Sequence, residues 1–250
     1  MTPFQGLILG LIQGLTEFLP VSSSGHLVIT QNLFQLTEPP IIFDILVHLA
    51  TSLAVIIVIF NYLKNINLTQ IKLILIASIP AGVIGILLNQ QIETLFSSLR
   101  LVSFSLIVTG LILFSTKKLA KKKSSLNSKN SFFIGLAQAL AIIPGISRSG
   151  STITAGLHQG LTPKDAFNFS FLISLPAIFG AQLLQLNKLG NLSSAELPTL
   201  AIGFFTAFIS GLLALKTFKK LVIKGKLSYF GFYCLALGCI VLFFARYGTL

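Results

Sequence analysis

The sequence predicts an all-α polytopic membrane protein, and its composition, its apolar segments and an internal repeat are the three observations behind this prediction. Hydrophobic residues make up 54% of the 250 residues and charged residues only 10%. Soluble domains carry about 25% charged residues. The mean hydropathy is +0.89. A water-soluble core cannot absorb this apolar excess, so we expect the chain to lie in a bilayer.

Six apolar segments have lengths near the roughly 20 residues that cross a bilayer. They are 41–60, 71–88, 101–116, 166–185, 196–213 and 226–241. The start of the fourth has the pattern of a capping box, from Thr162 to Asp165 with proline at the first helical position. We therefore expect about six spanning helices in one membrane domain, 1–250, and a structural role for Asp165.

An internal repeat divides the chain into halves, 1–125 and 126–250. The segment GLIQGLTEFLPVSSSG at 10–25 matches GLAQALAIIPGISRSG at 135–150, an offset of 125 residues that the apolar segments share. Each copy is interrupted by a proline, and non-helical backbone at membrane depth is tolerated only inside protein or beside a wet cavity. Each copy is therefore predicted to be a re-entrant helical hairpin. Three crossings per half then predict an inverted-topology repeat.

The basic residues predict the orientation of this repeat. Of the 18 basic residues, 14 fall on one predicted side of the membrane and three on the other, namely Arg100, Lys188 and Arg246. The lysine-rich side should be cytoplasmic. The hairpins then enter from opposite sides, so their tips can meet near the midplane. The net charge of +12 follows from this orientation and does not indicate a nucleic-acid partner.

The first hairpin carries polar residues at membrane depth. Gln13 and Glu17 are four residues apart and share a helix face. An ionisable group at this depth costs about 2.5–3.5 kcal/mol and normally marks function. Glu17 is therefore interpreted as a metal ligand or general base, with a carboxyl group near an interface as the alternative.

The break in the first hairpin is followed by a serine-rich helix start. Ser22, Ser23 and Ser24 place hydroxyls and backbone N–H groups where an anion is favoured, although serines also cap helices without any ligand. His26 follows Ser22 by four residues and Ser23 by three, so it shares their face. A hydroxyl and an imidazole within reach of each other form an activated nucleophile or an acid–base pair.

The second break contains Arg148, which needs an anionic partner at this depth. Glu17 alone is one candidate, and phosphate is the other, because a guanidinium group suits phosphate oxygens. Ser147, Ser149 and Thr152 would complete an anion-binding nest. Together the two hairpin tips predict a phosphate site.

These motifs resemble those of the undecaprenyl-diphosphate phosphatase family, also called bacitracin-resistance proteins, over essentially the whole chain. Gln13 to Glu17 matches the family's [E/Q]xxxE element and runs on through Pro20 to His26, and 144–152 matches PGxSRSGxT. The resemblance implies hydrolysis of undecaprenyl diphosphate to the monophosphate and phosphate. This activity would recycle the carrier for peptidoglycan synthesis, cell-wall biogenesis and cell shape, and would confer antibiotic resistance.

The resemblance also implies a bacterial inner membrane location, a site open to the outer face and a divalent cation, Mg²⁺ or Ca²⁺. Glu17 would hold the metal and, with Ser23, His26 and Arg148, would be catalytic. The implied substrate-binding residues are Gln13, Ser22, Ser24, Ser147, Ser149 and Thr152. Asn168 stands where some relatives have Glu, so it receives no catalytic role.

The motifs leave several alternatives open. The nucleophile is Ser23 with His26 as base, His26 itself or water, and the serine–histidine pair is preferred. His48 either packs between helices or supports the site, whereas His158 is interpreted as structural. A transporter or lipid flippase and a non-catalytic lipid-binding protein are the rival functions. A homodimer is a further hypothesis.

Overall fold

The computed structural model describes residues 1–36, 41–118, 124–185 and 196–247, and within these ranges it contains helices but no strands. In chain order the helices are α1 (Pro3–Phe18), α2 (Ser23–Leu33), α3 (Ile41–Val58), α4 (Phe60–Leu63), α5 (Leu68–Leu87), α6 (Asn89–Leu95), α7 (Leu99–Phe114), α8 (Ser128–Leu140), α9 (Arg148–His158), α10 (Pro163–Gln185), α11 (Leu197–Ile223) and α12 (Ser228–Tyr247). A short 3₁₀ turn, Ser115–Lys118, follows α7.

Six of these helices are long and apolar enough to cross a membrane, as predicted: α3, α5, α7, α10, α11 and α12. One of the two bonds of the predicted capping box is present where α10 begins, because the Asp165 amide donates to Thr162 Oγ1 at 3.1 Å. The Asp165 carboxylate accepts from the Thr162 hydroxyl at 2.6 Å. Helix α11 runs ten residues beyond the predicted segment 196–213. Leu215, Phe218 and Val222 keep its end helical, because these side chains are buried in the core.

Both predicted interruptions separate two helices. Helix α1 ends at Phe18 and α2 begins after Ser22, while α9 begins after Ser147. The hydroxyls of these two serines accept hydrogen bonds from the amides of Gly25 and Gly150, at 3.3 and 3.1 Å. Each second helix therefore starts with a serine N-cap, as its sequence pattern predicts.

Close helix packing positions the two interrupted segments. Helix α1 lies against α11 and helix α8 against α5. A Cβ atom at Gly10 would lie 2.5 Å from the Gly203 carbonyl oxygen, and one at Gly135 would lie 2.3 Å from the Ala77 carbonyl oxygen. Only glycine allows either approach, and the two glycines are equivalent positions of the sequence repeat. Both interrupted segments are thus held by the same kind of backbone contact.

Candidate active site

The two helix breaks touch each other. Ser149 Oγ donates to the Leu19 carbonyl oxygen at 3.4 Å. A Cβ atom at Gly150 would lie 3.2 Å from Pro20 Cβ, and one at Gly25 would lie 3.2 Å from Gly145 Cα. Residues from two distant parts of the sequence therefore form one continuous polar region.

Glu17 lies at the centre of this region and is buried. Its Oε2 accepts hydrogen bonds from Ser23 Oγ at 2.6 Å and from Gln13 Nε2 at 3.1 Å. Its Oε1 pairs with the guanidinium group of Arg148. The structure thus brings three of the predicted residues together around the Glu17 carboxylate.

Arg148 is the first residue of α9, so it projects from a helix N-terminus toward α1. Its side chain is 15% exposed, and its Cζ lies 5.7 Å from the centroid of the Phe171 ring. Only Nη2 contacts Glu17. Within the described ranges, Nη1 is buried and has no hydrogen-bond partner, and the same is true of Gln13 Oε1. A buried donor and a buried acceptor therefore remain beside the carboxylate, and each costs free energy until it is paired.

Serine hydroxyls line the starts of α2 and α9. Ser22 Oγ and Ser24 Oγ are 3.2 Å apart, and Ser147 Oγ and Ser149 Oγ are 3.3 Å apart. Ser22 has φ of 67°, in the left-handed region that non-glycine residues rarely adopt. Such strain, of order 1–3 kcal/mol, persists where the surrounding structure imposes it and is concentrated at functional sites.

His26 has partners other than the serine hydroxyls. Its Nδ1 lies 2.8 Å from the Ser22 carbonyl oxygen, and its Nε2 lies 2.7 Å from the hydroxyl of Tyr233. Ser23 donates to Glu17, so the predicted Ser23–His26 pair is absent from the described structure. The imidazole of His26 instead bonds the backbone carbonyl four residues earlier. Such side-chain-to-backbone hydrogen bonds compete with contacts between side chains.

Two further predicted residues lie at the edge of the site. Thr152 is buried and contacts Ser170, with 2.6 Å between their hydroxyl oxygens, so its hydroxyl is directed at α10. His48 Nε2 lies 3.8 Å from Glu17 Oε2, which favours the interpretation of His48 as a supporting residue. His158 contacts the Ser115 hydroxyl at 2.8 Å at the far end of α9.

Tyr233 is a residue of this region that the sequence did not predict. It lies in an apolar segment with no motif around it, and its contact with His26 joins residues 207 positions apart. The neighbouring Cys234 also reaches the first break, with its Sγ 3.5 Å from the Pro20 carbonyl oxygen. The only signal in the sequence was a phenol in a spanning segment, which needs a polar partner.

The fold and this region define a multi-pass membrane protein with a buried polar site between two helix starts. The family model described as "Bacitracin resistance protein BacA" matches residues 6–240. The chain therefore belongs to the BacA family, as the sequence resemblance predicted.

Named relatives agree with this assignment over nearly the whole chain. A protein of Desulforapulum autotrophicum is 42% identical and covers 96% of this chain and 97% of its own length. A protein of Halothermothrix orenii is 41% identical, covering 98% and 99%, and one of Carboxydothermus hydrogenoformans is 42% identical, covering 97% of both chains. All three are named undecaprenyl-diphosphatase. The chain is thus an enzyme of the phosphatase class.

Proposed function

We propose that this protein hydrolyses undecaprenyl diphosphate to undecaprenyl phosphate and inorganic phosphate. The observation that carries the proposal is that Arg148 Nη1 is buried and has no hydrogen-bond partner in the described structure. The guanidinium group lies next to Glu17 and to two helix starts that are capped by serines. The relatives' names supply the substrate. The product would return as a lipid carrier for peptidoglycan synthesis, and removal of the diphosphate would underlie bacitracin resistance.

The charges of the site suit a diphosphate. The N-termini of α2 and α9 each contribute about half a positive charge, and Arg148 adds a full one. Glu17 cancels part of this positive charge. A diphosphate carries several negative charges, so Arg148 and the helix ends would stabilise it without neutralising it fully. A further positive charge is therefore expected when substrate is bound.

The hydrogen bond from Ser23 to Glu17 supports a serine nucleophile. In the proposed reaction Ser23 Oγ forms a bond to the terminal phosphorus, and its proton passes to Glu17 Oε2. The bond from that phosphorus to the bridging oxygen breaks, and the lipid monophosphate leaves with the electron pair. Water then hydrolyses the phosphoserine and releases phosphate. Glu17 thus takes the base role that the sequence gave to His26. Attack by water or by His26 is the alternative.

The donors of the site fit a hard divalent cation. Within the described ranges no three His, Cys, Asp or Glu side chains converge. The Glu17 carboxylate and the unpartnered Gln13 Oε1 are oxygen ligands, which Mg²⁺ and Ca²⁺ prefer. Such a cation would supply Lewis-acid stabilisation of the phosphate oxygens. Water and substrate oxygens would complete its coordination.

Removal of divalent cations is expected to lower phosphate release by at least about tenfold, because the site lacks enough positive charge for the diphosphate. The measurement is the initial rate in a chelator, before and after addition of Mg²⁺ or Ca²⁺. Full activity in the chelator would contradict a metal role for Glu17 and Gln13.

The arrangement of the helices supports two re-entrant hairpins in an inverted repeat. The site would open to the outer face of the bacterial inner membrane, as the family resemblance implies. The pair α1 and α2 matches α8 and α9 at the sequence offset, and their packing partners α11 and α5 are likewise equivalent elements. The basic residues favour a cytoplasmic position for the start of α5 and the end of α11.

Cysteine labelling tests this orientation. In a Cys239→Ser background, which leaves only the buried Cys234, a membrane-impermeant maleimide should label Arg100→Cys in intact cells. Lys72→Cys and Lys224→Cys should react only after permeabilisation. The opposite pattern would overturn the orientation, and labelling of Lys72→Cys and Lys224→Cys from opposite sides would overturn the inverted repeat.

The purified protein in detergent tests the function itself. Undecaprenyl diphosphate should yield one phosphate per lipid monophosphate, identified by mass spectrometry. A flippase would move the lipid between leaflets of liposomes without releasing phosphate, and a lipid-binding protein would do neither. The absence of phosphate release by folded wild type with Mg²⁺ and Ca²⁺ would exclude the proposed hydrolysis. Size measurement of the same sample tests the predicted homodimer.

A further inference from the structure

Tyr233 and His26 form a pair between α12 and the first turns of α2. The hydroxyl oxygen lies 2.7 Å from His26 Nε2. The two rings are nearly parallel, with 6° between their planes and 5.7 Å between their centroids. The phenol hydroxyl therefore meets the edge of the imidazole, and the two ring planes are nearly parallel.

The other nitrogen of His26 determines where the imidazole carries its proton. Nδ1 lies 2.8 Å from the Ser22 carbonyl oxygen, which can only accept a hydrogen bond. Nδ1 therefore bears the hydrogen. In the neutral imidazole Nε2 is then an acceptor, and the Tyr233 hydroxyl donates to it. The two hydrogen bonds together select one tautomer.

The hydrogen bond of Tyr233 lies at the exposed edge of an apolar helix. Tyr233 lies in a helix that is long and apolar enough to cross a membrane. The residue itself is 47% exposed. A phenol hydroxyl in such a segment needs a polar partner. Cys234 packs against the break at Pro20, so this turn of α12 is held beside the first hairpin. Tyr229, one turn earlier, is 66% exposed and contacts Lys226.

We propose that Tyr233 is a positioning residue that holds the His26 imidazole in place through Nε2, while the Ser22 carbonyl oxygen keeps the proton on Nδ1. The imidazole is then fixed at the start of α2, with the Tyr233 hydroxyl bonded to the Nε2 lone pair. This assignment of Tyr233 to the reaction rests on the proposed phosphatase function. The tautomer itself does not, because it follows from the two hydrogen bonds of the resting protein.

The variant Tyr233→Phe removes the hydroxyl and keeps the ring. We expect kcat for phosphate release to fall about tenfold, roughly the effect of losing one hydrogen bond. KM should change less than twofold, because Tyr233 acts through His26 and not on the substrate. Tyr229→Phe is the matched control, since it removes the equivalent hydroxyl one turn away, and it should keep wild-type kinetics. Equal kcat values for Tyr233→Phe and wild type would overturn the role in catalysis.

The tautomer can be measured without substrate. The chain has three histidines, so NMR spectra of protein labelled with ¹⁵N in the histidine rings contain few signals. The signals of His26 are those that disappear in His26→Asn and remain in His158→Gln. Wild type should show His26 protonated at Nδ1 and unprotonated at Nε2. Tyr233→Phe should keep Nδ1 protonated but shift the Nε2 signal, because Nε2 loses its hydrogen-bond donor, whereas Tyr229→Phe should match wild type.

The kinetics and the ¹⁵N spectra together distinguish a failure of the Tyr233 positioning role from a failure of the proposed phosphatase function. A protonated Nε2 in neutral wild-type His26, or an unchanged His26 spectrum in Tyr233→Phe, would refute the positioning role even if wild type hydrolyses the substrate. If wild type releases no phosphate but the ¹⁵N signals change as expected, the proposed function fails and the Tyr233–His26 contact stands.

Discussion

Arg148→Ala is expected to lower kcat/KM for phosphate release by at least about 1,000-fold. An arginine that stabilises charge in phosphoryl transfer contributes about 10³–10⁵ in rate. Arg148 is the cation that the structure places beside Glu17, with Nη1 available for a phosphate oxygen. Arg148→Lys should recover only part of the activity, because a lysine is a point charge without the planar fork. Rates of phosphate release by purified variants give the result.

Folding must be separated from catalysis in this comparison. Arg148→Ala leaves Glu17 buried and unpaired, and removing one partner of a buried ion pair costs about 3–5 kcal/mol of stability. Thermal unfolding should be measured for each variant. Arg148→Lys keeps a positive charge beside Glu17, so it should lose less stability than Arg148→Ala. Arg100→Ala, at an exposed arginine of α7, is the control and should leave the rate unchanged. A folded Arg148→Ala protein within tenfold of wild type would show that Arg148 does not bind the reacting phosphate.

Ser23→Ala is expected to lower kcat by about 1,000-fold or more, because removal of a nucleophile abolishes the covalent route. The loss of one hydroxyl should leave the fold intact, and Glu17 Oε2 keeps its contact with Gln13. Initial rates measure the effect. A rate constant for hydrolysis measured by rapid quench would separate this chemical step from product release.

Ser24→Ala provides the matched control. Ser24 adjoins Ser23, but its hydroxyl contacts Ser22 and not Glu17. We expect less than a tenfold loss, which fits a contribution to substrate binding. If Ser23→Ala and Ser24→Ala fall equally and modestly, Ser23 is not the nucleophile, and attack by water or by His26 becomes the preferred mechanism.

The sequence predicted the parts of the structure that depend on local pattern. The six spanning helices follow from apolar segments of sufficient length, and the starts of α2 and α9 follow from serine caps after a break. Both signals act within a few residues, so they can be read without knowing the fold. The meeting of Arg148 with Glu17 was one of two alternatives, because a buried arginine requires an anion and the chain offers few.

The sequence did not predict which partner each polar side chain selects. His26 shares a helix face with Ser22 and Ser23, yet its imidazole bonds the Ser22 carbonyl oxygen and the Tyr233 hydroxyl. Thr152 likewise lies in the second motif, but its hydroxyl contacts Ser170 of α10. These choices depend on helices that approach from distant parts of the chain. Neither the hydrophobic period of a helix nor a local motif predicts such long-range contacts.

A double-mutant cycle tests whether residues of both helix breaks form one active site. Phosphate release is measured for wild type, Glu17→Gln, Arg148→Lys and the double variant, with kcat/KM converted to free energies. When two groups act on one transition state, the effects of their substitutions on kcat/KM are expected to be non-additive. We expect the effect of the double variant to differ from the sum of the two single effects by at least about 1 kcal/mol. Additivity within about 0.5 kcal/mol would contradict a shared site.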